Sequence, residues 1–367
     1  MLDKKNNILS LAFIAPASVI HTIKWVNGLA GEGFKVHLIT QHLPTESIHS
    51  DVSVHLLPVK NGLGYFLNAI ALNRLIKTIS PDLINVHYAS GYGTLANLSQ
   101  IKPYYLSVWG SDVYEFPHQN ILNKILIKLN LKKAKHIFST SNAMADQVRQ
   151  LIGKDARVSV TPFGVDMNQF KSTSTILSST KVTIGIVKRL EQKYGIDVLI
   201  KSFSQVLSHY QQNDKSVANK LQLLIVGDGS QKNEYKKLVN NLGLASYCTF
   251  KSAIPNEAVP AVIDTIDIFA VCSRIESFGV AAIEASACNR PCIVSNVGGL
   301  PEVVSNNQTG IIVKSESVSE FSRAMIYLID NPKIAIEFGL QARKFVESQY
   351  SEQQVLKTMS AALTNRI

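Results

Sequence analysis

Apolar and polar positions alternate along the chain in two successive series. In the first series, short apolar runs are separated by segments whose apolar residues recur at the spacing of an amphipathic helix. This pattern predicts strands at 8–14, 35–40, 52–56, 83–87, 104–108, 136–140 and 157–160. It predicts helices at 21–32, 65–79, 92–99, 120–134 and 142–151. Strands that alternate with helices are typical of a parallel sheet covered on both faces.

The pattern restarts after residues 166–180, a polar segment rich in serine and threonine that is predicted to be a linker. It then predicts strands at 182–187, 221–226, 247–251, 267–271, 291–295 and 309–313. The predicted helices are 195–212, 231–242, 256–264, 279–288, 318–330, 333–348 and 351–364.

The sequence therefore predicts an α/β protein with two tandem Rossmann-like, doubly wound domains, 1–165 and 181–348, facing across a cleft. Ligands are expected at the carboxyl ends of the strands and in that cleft. The last segment, 349–367, is expected to form a helix that packs back on the first domain.

Composition agrees with this layout and narrows the class of partner. A chain of 367 residues suits two cores better than one. The formal charge of +10 is uneven, because residues 1–172 carry 17 Lys or Arg and 10 Asp or Glu. A basic first half favours an anionic partner surface. The apolar run 8–15 stops at Pro16, which is too short for a membrane span, and the four cysteines favour a reducing compartment. We therefore expect a cytoplasmic protein that is soluble or lies on a membrane surface.

Two glutamates of the second half, Glu276 and Glu284, stand on either side of a loop-to-helix junction. Eight helical steps span about 12 Å. A carboxylate pair that flanks one anomeric carbon in a glycosidase needs roughly 5–9.5 Å. The spacing therefore suits the two ends of one elongated, polyhydroxylated ligand. The free N–H groups at the start of the helix would accept a phosphate between them.

A basic loop follows the first strand of the second half and contains Lys188, Arg189 and Lys193. Such cations stabilise a diphosphate, more strongly still as it departs with extra negative charge. The alternative is an ordinary solvated loop. Gly227 ends the next strand, where it permits close approach of a ligand or forms a plain tight turn.

The first half offers candidates for a second ligand. His87 ends a predicted strand and can exchange hydrogen bonds with a ligand in the cleft, although a lone histidine is more often structural. The same alternatives apply to His21, just after the first strand. Trp109 and Asp112 are candidates for an acceptor site, with Asp112 equally suited to cap a turn. Ser18 lies in a first βα turn that has no glycine, which disfavours a dinucleotide-binding dehydrogenase.

The predicted helix within 120–136 combines many apolar residues with lysines on one face: Lys124, Lys128, Lys132 and Lys135. A basic amphipathic helix of this kind can lie on an anionic bilayer. A packed helix with one solvated face is an equal alternative.

Several motifs are absent from the sequence. No D-x-D triplet, phosphate-binding P-loop or G-x-S-x-G turn occurs. The sequence thus lacks the usual signature of a metal–diphosphate clamp, and we expect no metal and no cofactor. A catalytically silent binder of nucleic acid or of an anionic surface is a rival suggested by the charge. No RNA-binding aromatic motif or helix-turn-helix signature supports it, and we expect no nucleic-acid partner.

Taken together, three segments resemble retaining family-4 glycosyltransferases of the GT-B fold. The most specific is 273–288, and the Gly-Gly-x-Pro-Glu stretch within 291–302 follows it at the family's distance. Residues 161–166 resemble the family's approach to the linker. The resemblance covers nearly the whole chain.

The resemblance implies roles for the acidic pair and its turn. Glu276 would act as the catalytic-site carboxylate that binds hydroxyls of the donor hexose. Phe278, Gly279 and Val280 would offer backbone amides beside it, and Glu284 would hold the ribose of the nucleotide.

The resemblance also assigns Lys188, Arg189 and Lys193 to the diphosphate and His87 to the neighbourhood of the donor sugar. The family often has Gly-Arg-Leu followed by a Lys-Gly pair, whereas here Val-Lys-Arg-Leu precedes Lys193 and Tyr194 stands between Lys193 and the glycine. Lys188 and Arg189 are therefore alternatives for the diphosphate contact, and Lys193 is preferred over both.

The implied reaction is the metal-independent, retaining transfer of a hexose to a hydroxyl of a glycan or lipid-linked acceptor, in the synthesis of a surface polysaccharide. A UDP-sugar is the favoured donor and a GDP-sugar the alternative. A GT-B epimerase or phosphorylase is the enzymatic rival.

Overall fold

The computed structural model describes residues 8–174, 176–177 and 180–365. The chain divides into two compact units. One comprises Met1–Phe163 together with Val355–Ile367, and the other comprises Gly164–Gln354. The described part of the predicted linker, 166–180, therefore belongs to the second unit.

The first unit is built on a seven-stranded sheet in the order β3-β2-β1-β4-β5-β6-β7, with every neighbouring pair parallel. Its central strands are buried along nearly their whole length, because helices cover both faces of a parallel sheet. The strands are β1 (Ser10–Ile14), β2 (Lys35–Thr40), β3 (Ser53–Leu56), β4 (Leu83–His87), β5 (Tyr105–Ser107), β6 (His136–Ser139) and β7 (Val158–Val160).

The helices of this unit are α1 (Ile20–Gly31), α2 (Gly64–Leu67), α3 (Ala69–Ile79), α4 (Gly91–Leu98), α5 (Ser111–Tyr114), α6 (Phe116–Gln119), α7 (Ile121–Lys133) and α8 (Asn142–Ile152). The chain ends in α17 (Glu352–Thr364), most of which belongs to this unit. A β-carbon on Gly28 in α1 would overlap the side chain of Leu356 in α17. Glycine at this position therefore permits the two helices to pack closely.

The second unit has a six-stranded parallel sheet in the order β10-β9-β8-β11-β12-β13. The strands are β8 (Val182–Val187), β9 (Leu221–Val226), β10 (Cys248–Lys251), β11 (Ile268–Val271), β12 (Cys292–Ser295) and β13 (Gly310–Val313). The helices are α9 (Ile196–Asn213), α10 (Lys215–Ala218), α11 (Lys232–Asn241), α12 (Val259–Ile263), α13 (Val280–Ala287), α14 (Leu300–Val303), α15 (Val318–Asp330) and α16 (Pro332–Tyr350). The predicted doubly wound α/β class is confirmed.

All thirteen predicted strands are present, with ends shifted by at most two residues. The helix predicted at 65–79 is instead two helices that meet at Asn68. The buried Asn68 side chain accepts the N–H of Val59 (3.1 Å) and donates to its carbonyl (2.8 Å), which fixes the loop against the break. The helix predicted at 256–264 begins as a 3₁₀ turn, and α12 follows with Pro260 in its first turn. Four short helices, α5, α6, α10 and α14, were not predicted.

Candidate functional site

The acidic loop of the second unit connects β11 to α13 and carries Glu276. Gly279 adopts φ +115° at the start of α13, a conformation that favours glycine. Glu276 is only 8% exposed. Its Oε2 atom accepts a hydrogen bond from Lys188 Nζ at 2.7 Å and another from Ser273 Oγ at 3.2 Å. The fold therefore brings the predicted acidic loop and the predicted basic loop together.

The Lys188–Glu276 ion pair lies out of solvent. Burial is the largest single influence on Lys188 and lowers its pKa, but the charge and hydrogen bond of Glu276, together with smaller contributions, outweigh it and the net pKa is raised. Glu284, in α13, acts in the same direction. The structure thus brings both predicted glutamates close to one ammonium group, which stays charged at neutral pH. Arg189, by contrast, has a side chain that is 78% exposed.

Gly298 and Gly299, between β12 and α14, shape the acidic loop from the other side. Gly298 has φ +51°, and a β-carbon there would overlap the carbonyl oxygen of Glu276. The N–H of Gly299 donates to the same oxygen at 3.2 Å. A glycine pair of this kind can aim backbone amides at an anion. In the structure the amide of Gly299 serves the protein backbone instead, because the two loops pack in direct contact.

Lys193 lies on a 3₁₀ turn, Gln192–Tyr194, that is attached to the acidic loop. Its carbonyl oxygen accepts the N–H groups of Arg274 (2.8 Å) and Ile275 (3.3 Å). The next glycine, Gly195, has φ +64°, and a β-carbon there would overlap the carbonyl oxygen of Cys272. The turn is therefore held against the backbone that leads to Glu276.

The side chain of Arg274 forms ion pairs that were not predicted from the sequence. Its guanidinium makes a bidentate pair with Asp197 of α9 (2.9 and 2.8 Å) and also contacts Glu316 (2.8 Å). The hydrogen bonding that Arg274 donates to Asp197 is the main reason why the pKa of Arg274 is raised. The sequence contained a signal for this contact. An arginine stands two residues before the catalytic candidate, and an aspartate lies in the first helical turn after the basic loop. Both residue types form ion pairs.

A cavity of about 490 Å³ lies beside this site and is lined by Val187, Lys188, Arg189, Val226, Gly227, Asp228, Gly229, Ala253 and Ile254. Its volume falls in the range of small-ligand sites. Gly227 has φ +146°, and a β-carbon there would overlap the carbonyl oxygen of Lys188. The glycine that was predicted to admit a ligand thus allows the loops after β8 and β9 to pack together. These two loops form one wall of the cavity.

Phe278, Gly279 and Val280 stand at the start of α13, as the sequence predicted. The Phe278 ring is buried and meets the Tyr350 ring edge-on, with 5.4 Å between centroids. Only the backbone of Phe278 is therefore suited to a ligand.

In the first unit, His87 is fully buried at the carboxyl end of β4. Its Nε2 atom lies 2.6 Å from Asn85 Oδ1, while the Asn85 amide nitrogen donates to Ser107 Oγ at 3.1 Å. Because Asn85 offers an acceptor, Nε2 carries the proton and Nδ1 carries the lone pair. Nδ1 is buried and has no hydrogen-bond partner within the described residues. Burial lowers the pKa of His87 well below its usual value, so the imidazole is neutral.

An aromatic cluster joins several of the other first-unit candidates. The His21 ring stacks on Phe163 at 4.0 Å between centroids, and the Trp109 ring lies 5.7 Å from Phe163 and 5.3 Å from His87. Burial, followed by the charge of Lys24, lowers the pKa of His21 to about 4. The structure thus places His21, His87 and Trp109 in one cluster of uncharged rings.

Asp112 is fully buried and accepts backbone N–H groups from Ala89 (2.8 Å), Gly110 (2.9 Å) and Trp109 (3.1 Å). Both of its carboxylate oxygens are engaged, which is the turn-capping alternative considered from sequence. Burial raises the pKa of Asp112 despite these bonds. Ser18 is exposed in the turn between β1 and α1.

Comparisons with known proteins cover both units. The sequence profile of the family described as "Glycosyl transferases group 1" matches residues 168–345, and that of "Glycosyl transferase 4-like" matches 10–141. The chain belongs to the family-4 type of GT-B glycosyltransferases.

Three similar proteins illustrate the range of this family. The N-acetyl-alpha-D-glucosaminyl L-malate synthase of Bacillus anthracis is 24% identical over 350 residues, or 89% of this chain and 88% of the relative. A GDP-mannose-dependent mannosyltransferase of Mycobacterium tuberculosis acting on phosphatidylinositol monomannoside is 27% identical over 213 residues, or 54% and 53%. The chain thus spans about half the length of that relative. The structure of Anabaena HepE with UDP-glucose has a TM-score of 0.78 at 16% identity, covering 97% of this chain and all of the other.

The surface of this glycosyltransferase carries two exposed apolar segments in its first unit. On α7, the residues Ile121, Leu122, Ile125 and Leu129 are half or more exposed. The sequence predicted that Lys124, Lys128, Lys132 and Lys135 share one face of this segment, which either lies on a bilayer or is solvated. In the structure Lys132 and Lys135 are exposed and Lys124 and Lys128 are half-buried, beside the exposed apolar residues. The second segment, around α2 and α3, was not predicted and exposes Leu63, Phe66, Leu67 and Ile70.

In the described residues of the glycosyltransferase, no helix has the length and apolarity needed to cross a membrane. The same residues contain no group of three or more histidine, cysteine or carboxylate side chains that could hold a metal ion.

Proposed function

We propose that the protein is a retaining, metal-independent hexosyltransferase. It moves a sugar from a nucleotide-sugar donor to a hydroxyl of a glycan or lipid-linked acceptor in the synthesis of a surface polysaccharide. The observation that carries the proposal is the buried Lys188–Glu276 pair at 2.7 Å, with Glu284 near it and the 490 Å³ cavity beside it. Opposite charges held next to a cavity suit a ligand that has hydroxyls at one end and phosphates in its middle.

The proposed roles follow from the charges. Glu276 is held by Lys188 and Ser273, which both donate to it, and it accepts hydrogen bonds from donor-sugar hydroxyls. Lys193, Arg189 and Lys188 stabilise the diphosphate. Glu284 holds the ribose hydroxyls, and the cavity lined by Gly227 takes the base.

In the proposed reaction the bond between the anomeric carbon and the diphosphate oxygen breaks. The acceptor oxygen forms the new bond on the same face, and its proton passes to the departing phosphate. Glu276 is fixed by two hydrogen-bond donors, so it is better suited to positioning than to attack on the anomeric carbon. The protein contributes mainly through orientation and through stabilisation of the leaving group.

UDP is the proposed donor base, with GDP as the alternative. Support comes from the bound UDP-glucose of the Anabaena protein and, for GDP, from the GDP-mannose dependence of the mycobacterial relative. A thermal-shift panel of nucleoside diphosphates and nucleotide sugars distinguishes them. A ligand at 100 times its Kd adds about 2.7 kcal/mol to the free energy of unfolding, which is readily measured.

The transferase is tested by turnover of the donor identified in that panel. Glu276→Ala should lose at least a thousandfold in kcat, because hydroxyl positioning and charge stabilisation are both lost. The variant should still fold, although with lower stability because Lys188 loses its partner. Glu347→Ala, an exposed glutamate on α16, is the matched control. Full activity in Glu276→Ala would refute the assignment.

Product analysis tests the remaining chemistry. NMR of the product should show the anomeric configuration of the donor, and activity should survive EDTA. An inverted product or loss of activity in EDTA would refute the corresponding part of the proposal. A free epimerised sugar or a sugar phosphate without a new glycosidic bond would establish the epimerase or phosphorylase instead.

We further propose that the first unit binds an anionic lipid bilayer, as a peripheral protein of the inner membrane face. The surface, here called the apolar–basic surface, consists of the exposed residues of α7 and of segment 63–70. Helix α7 and helix α2 both contact α4. Helix α7 follows β5, so its first residues lie near the carboxyl ends of the strands. Helix α3 leads into β4 and therefore ends near the amino ends, so segment 63–70 at its start also lies near the carboxyl ends. Both exposed segments thus lie towards the carboxyl edge of the sheet.

Charge selects the type of bilayer. Segments 60–80 and 116–135 contain no aspartate or glutamate. They contain seven lysines in all, together with an arginine and a histidine. Exposed apolar side chains enter the acyl boundary, whereas lysines bind anionic head groups at about 1 kcal/mol each.

Cosedimentation with vesicles tests this surface. Replacing Lys124, Lys128 and Lys132 by glutamate should weaken binding to phosphatidylglycerol vesicles at least tenfold. The matched control reverses Lys35, Lys102 and Lys154, which are exposed residues of the same unit. Phe66→Ser with Leu67→Ser should weaken binding as well, and Ile336→Ser with Leu340→Ser in the second unit should not. Equal binding by all variants would refute the surface.

A further inference from the structure

Tyr194 is the residue at which this chain departs from the usual lysine–glycine pair of the basic loop, and its ring contacts two cations. Lys188 Nζ lies 4.5 Å from the centroid of the ring, and Lys193 Nζ lies 5.2 Å from it. Both distances are within the reach of a cation–π interaction. One aromatic ring therefore attracts two of the three cations proposed to bind the diphosphate.

The backbone holds this ring in place from both sides. The Tyr194 N–H donates to the carbonyl of Glu191 at 3.0 Å. The preceding carbonyl, of Lys193, is bonded to the acidic loop, and the following residue, Gly195, packs on the carbonyl of Cys272. A ring fixed in this way can hold long lysine side chains that would otherwise lose rotamer freedom when a ligand binds.

The chemistry of the ring matters as much as its position. Two ammonium groups near each other repel, and a carboxylate placed between them would relieve the repulsion by cancelling positive charge. An aromatic face attracts both cations and leaves their charge intact for an anionic ligand. Lys188 is already paired with Glu276. The ring thus adds attraction without a further negative charge.

We propose that Tyr194 is a positioning residue that holds Lys188 and Lys193 for the diphosphate of the donor. This inference rests on the proposed nucleotide-sugar transferase function. It assigns the effect to the aromatic face and not to the hydroxyl. It also makes the effect depend on the number of phosphates in the ligand.

The test measures the affinity of UDP, UMP and uridine by calorimetry, with GDP in parallel. Tyr194→Leu keeps apolar bulk but removes the aromatic face, and we expect it to weaken UDP about tenfold, UMP less, and uridine by less than twofold. Tyr194→Phe keeps the face and should stay within threefold of wild type for all three ligands. Tyr327→Leu, a half-exposed tyrosine of the same unit, is the control for loss of an aromatic residue.

A double-mutant cycle gives a readout that a purely structural role would not change. In a Lys193→Met background, Tyr194→Leu should cost less UDP affinity than in wild type, because one of its two partners is already absent. Wild-type affinity in Tyr194→Leu overturns the proposal. So does an equal loss in Tyr194→Phe, or an equal loss for uridine.

Failure of the proposed function is distinguishable from failure of this inference. If the wild-type protein binds neither UDP nor GDP, the nucleotide-sugar function is refuted, and the role of Tyr194 with it. If wild type binds and the variants all bind equally, only the role of Tyr194 is refuted.

Discussion

The two units place opposite kinds of chemistry at the carboxyl ends of their central strands. In the second unit the side chains are ionised and paired: Lys188 with Glu276, and Arg274 with Asp197. In the first unit the side chains are neutral rings or are engaged by the backbone. His87 is a buried neutral imidazole, and Asp112 accepts three backbone N–H groups.

This difference matches what each unit would have to recognise. A departing nucleoside diphosphate carries charge, and fixed cations stabilise it most where water is excluded. A hydroxyl acceptor is neutral, and hydrogen-bonding groups and aromatic faces suffice to orient it. The comparison predicts that substitutions in the second unit act through charge and backbone contact, whereas the candidate histidines of the first unit stay neutral near pH 7.

The largest effect is expected from Lys188→Met. The substitution leaves Glu276 buried without its cation, and breaking such a pair typically destabilises a protein by about 3–5 kcal/mol. We expect that loss in chemical denaturation of the second unit, together with loss of nucleotide binding.

The double variant Lys188→Met, Glu276→Gln separates stability from function. Removing both charges should recover most of the free energy of unfolding, because no uncompensated carboxylate remains. Activity should not recover. If Lys188→Met alone kept wild-type stability, the contrast between a charged and a neutral unit would lose its main support.

Gly298→Ala should have the next largest effect. A β-carbon at φ +51° would meet the carbonyl of Glu276, so backbone strain and overlap add to about 3 kcal/mol. Gly33→Ala is the matched control in the first unit. Gly33 has φ +90° but no atom within 4 Å of the added carbon, so strain alone should cost about 1–2 kcal/mol. Equal losses measured by urea denaturation would show that the contact with Glu276 has no effect.

The sequence predicted the second unit better than the first, for physical reasons. The acidic pair, the basic loop and the glycine pair lie in contiguous motifs at strand ends, where a parallel sheet gathers them. All thirteen strands were predicted. The central strands read as continuous apolar runs because they are buried on both faces, whereas the partly exposed edge strands β3, β7 and β10 are short segments outside the predicted helices. The short helices α5, α6, α10 and α14 were not, since four residues give no periodicity to detect.

The hydrophobic periodicity of the sequence could not predict side-chain contacts between residues that lie far apart in the chain. Asp197 and Arg274 are 77 residues apart, and only the sheet order β9-β8-β11 brings their elements together. Which residues of α7 are exposed was left open by the sequence for a related reason. Its lysines and its apolar residues both recur at helical spacing, and only packing on α4 decides which of them is turned outward.

A third prediction concerns the stability of the protein in acid. It involves Asp264, whose carboxylate accepts hydrogen bonds from residues 172–174 near the start of the second unit. Burial by itself would raise the pKa of the Asp264 carboxyl. Hydrogen bonds, first among them that of Thr173, together outweigh burial and lower the pKa to about 2. A depressed pKa contributes stability above pH 4 that is lost as the pH falls towards 2. Asp264→Asn should therefore cost about 2 kcal/mol at pH 7 and almost nothing at pH 2.

Asp112 in the first unit should behave with the opposite sign. Its pKa is raised, so its contribution to stability improves as the pH falls through the folded pKa. Denaturation of wild type, Asp264→Asn and Asp112→Asn between pH 2 and 7 measures both slopes. Parallel slopes for the two variants would contradict the contrast between the units.

The smallest effect is expected at His87, and it concerns the shape of a pH profile. Burial keeps the pKa of His87 well below its usual value, so the imidazole stays neutral between pH 6 and 8. A group that does not titrate in that window adds no inflection to kcat/KM. His87→Gln should lower the rate through the lost Nδ1 acceptor, yet its profile should run parallel to that of wild type. An inflection near pH 6.5 in wild type that disappears in His87→Gln would instead make His87 a proton-transfer group. The first unit would then share in the ionic chemistry that the structure assigns to the second.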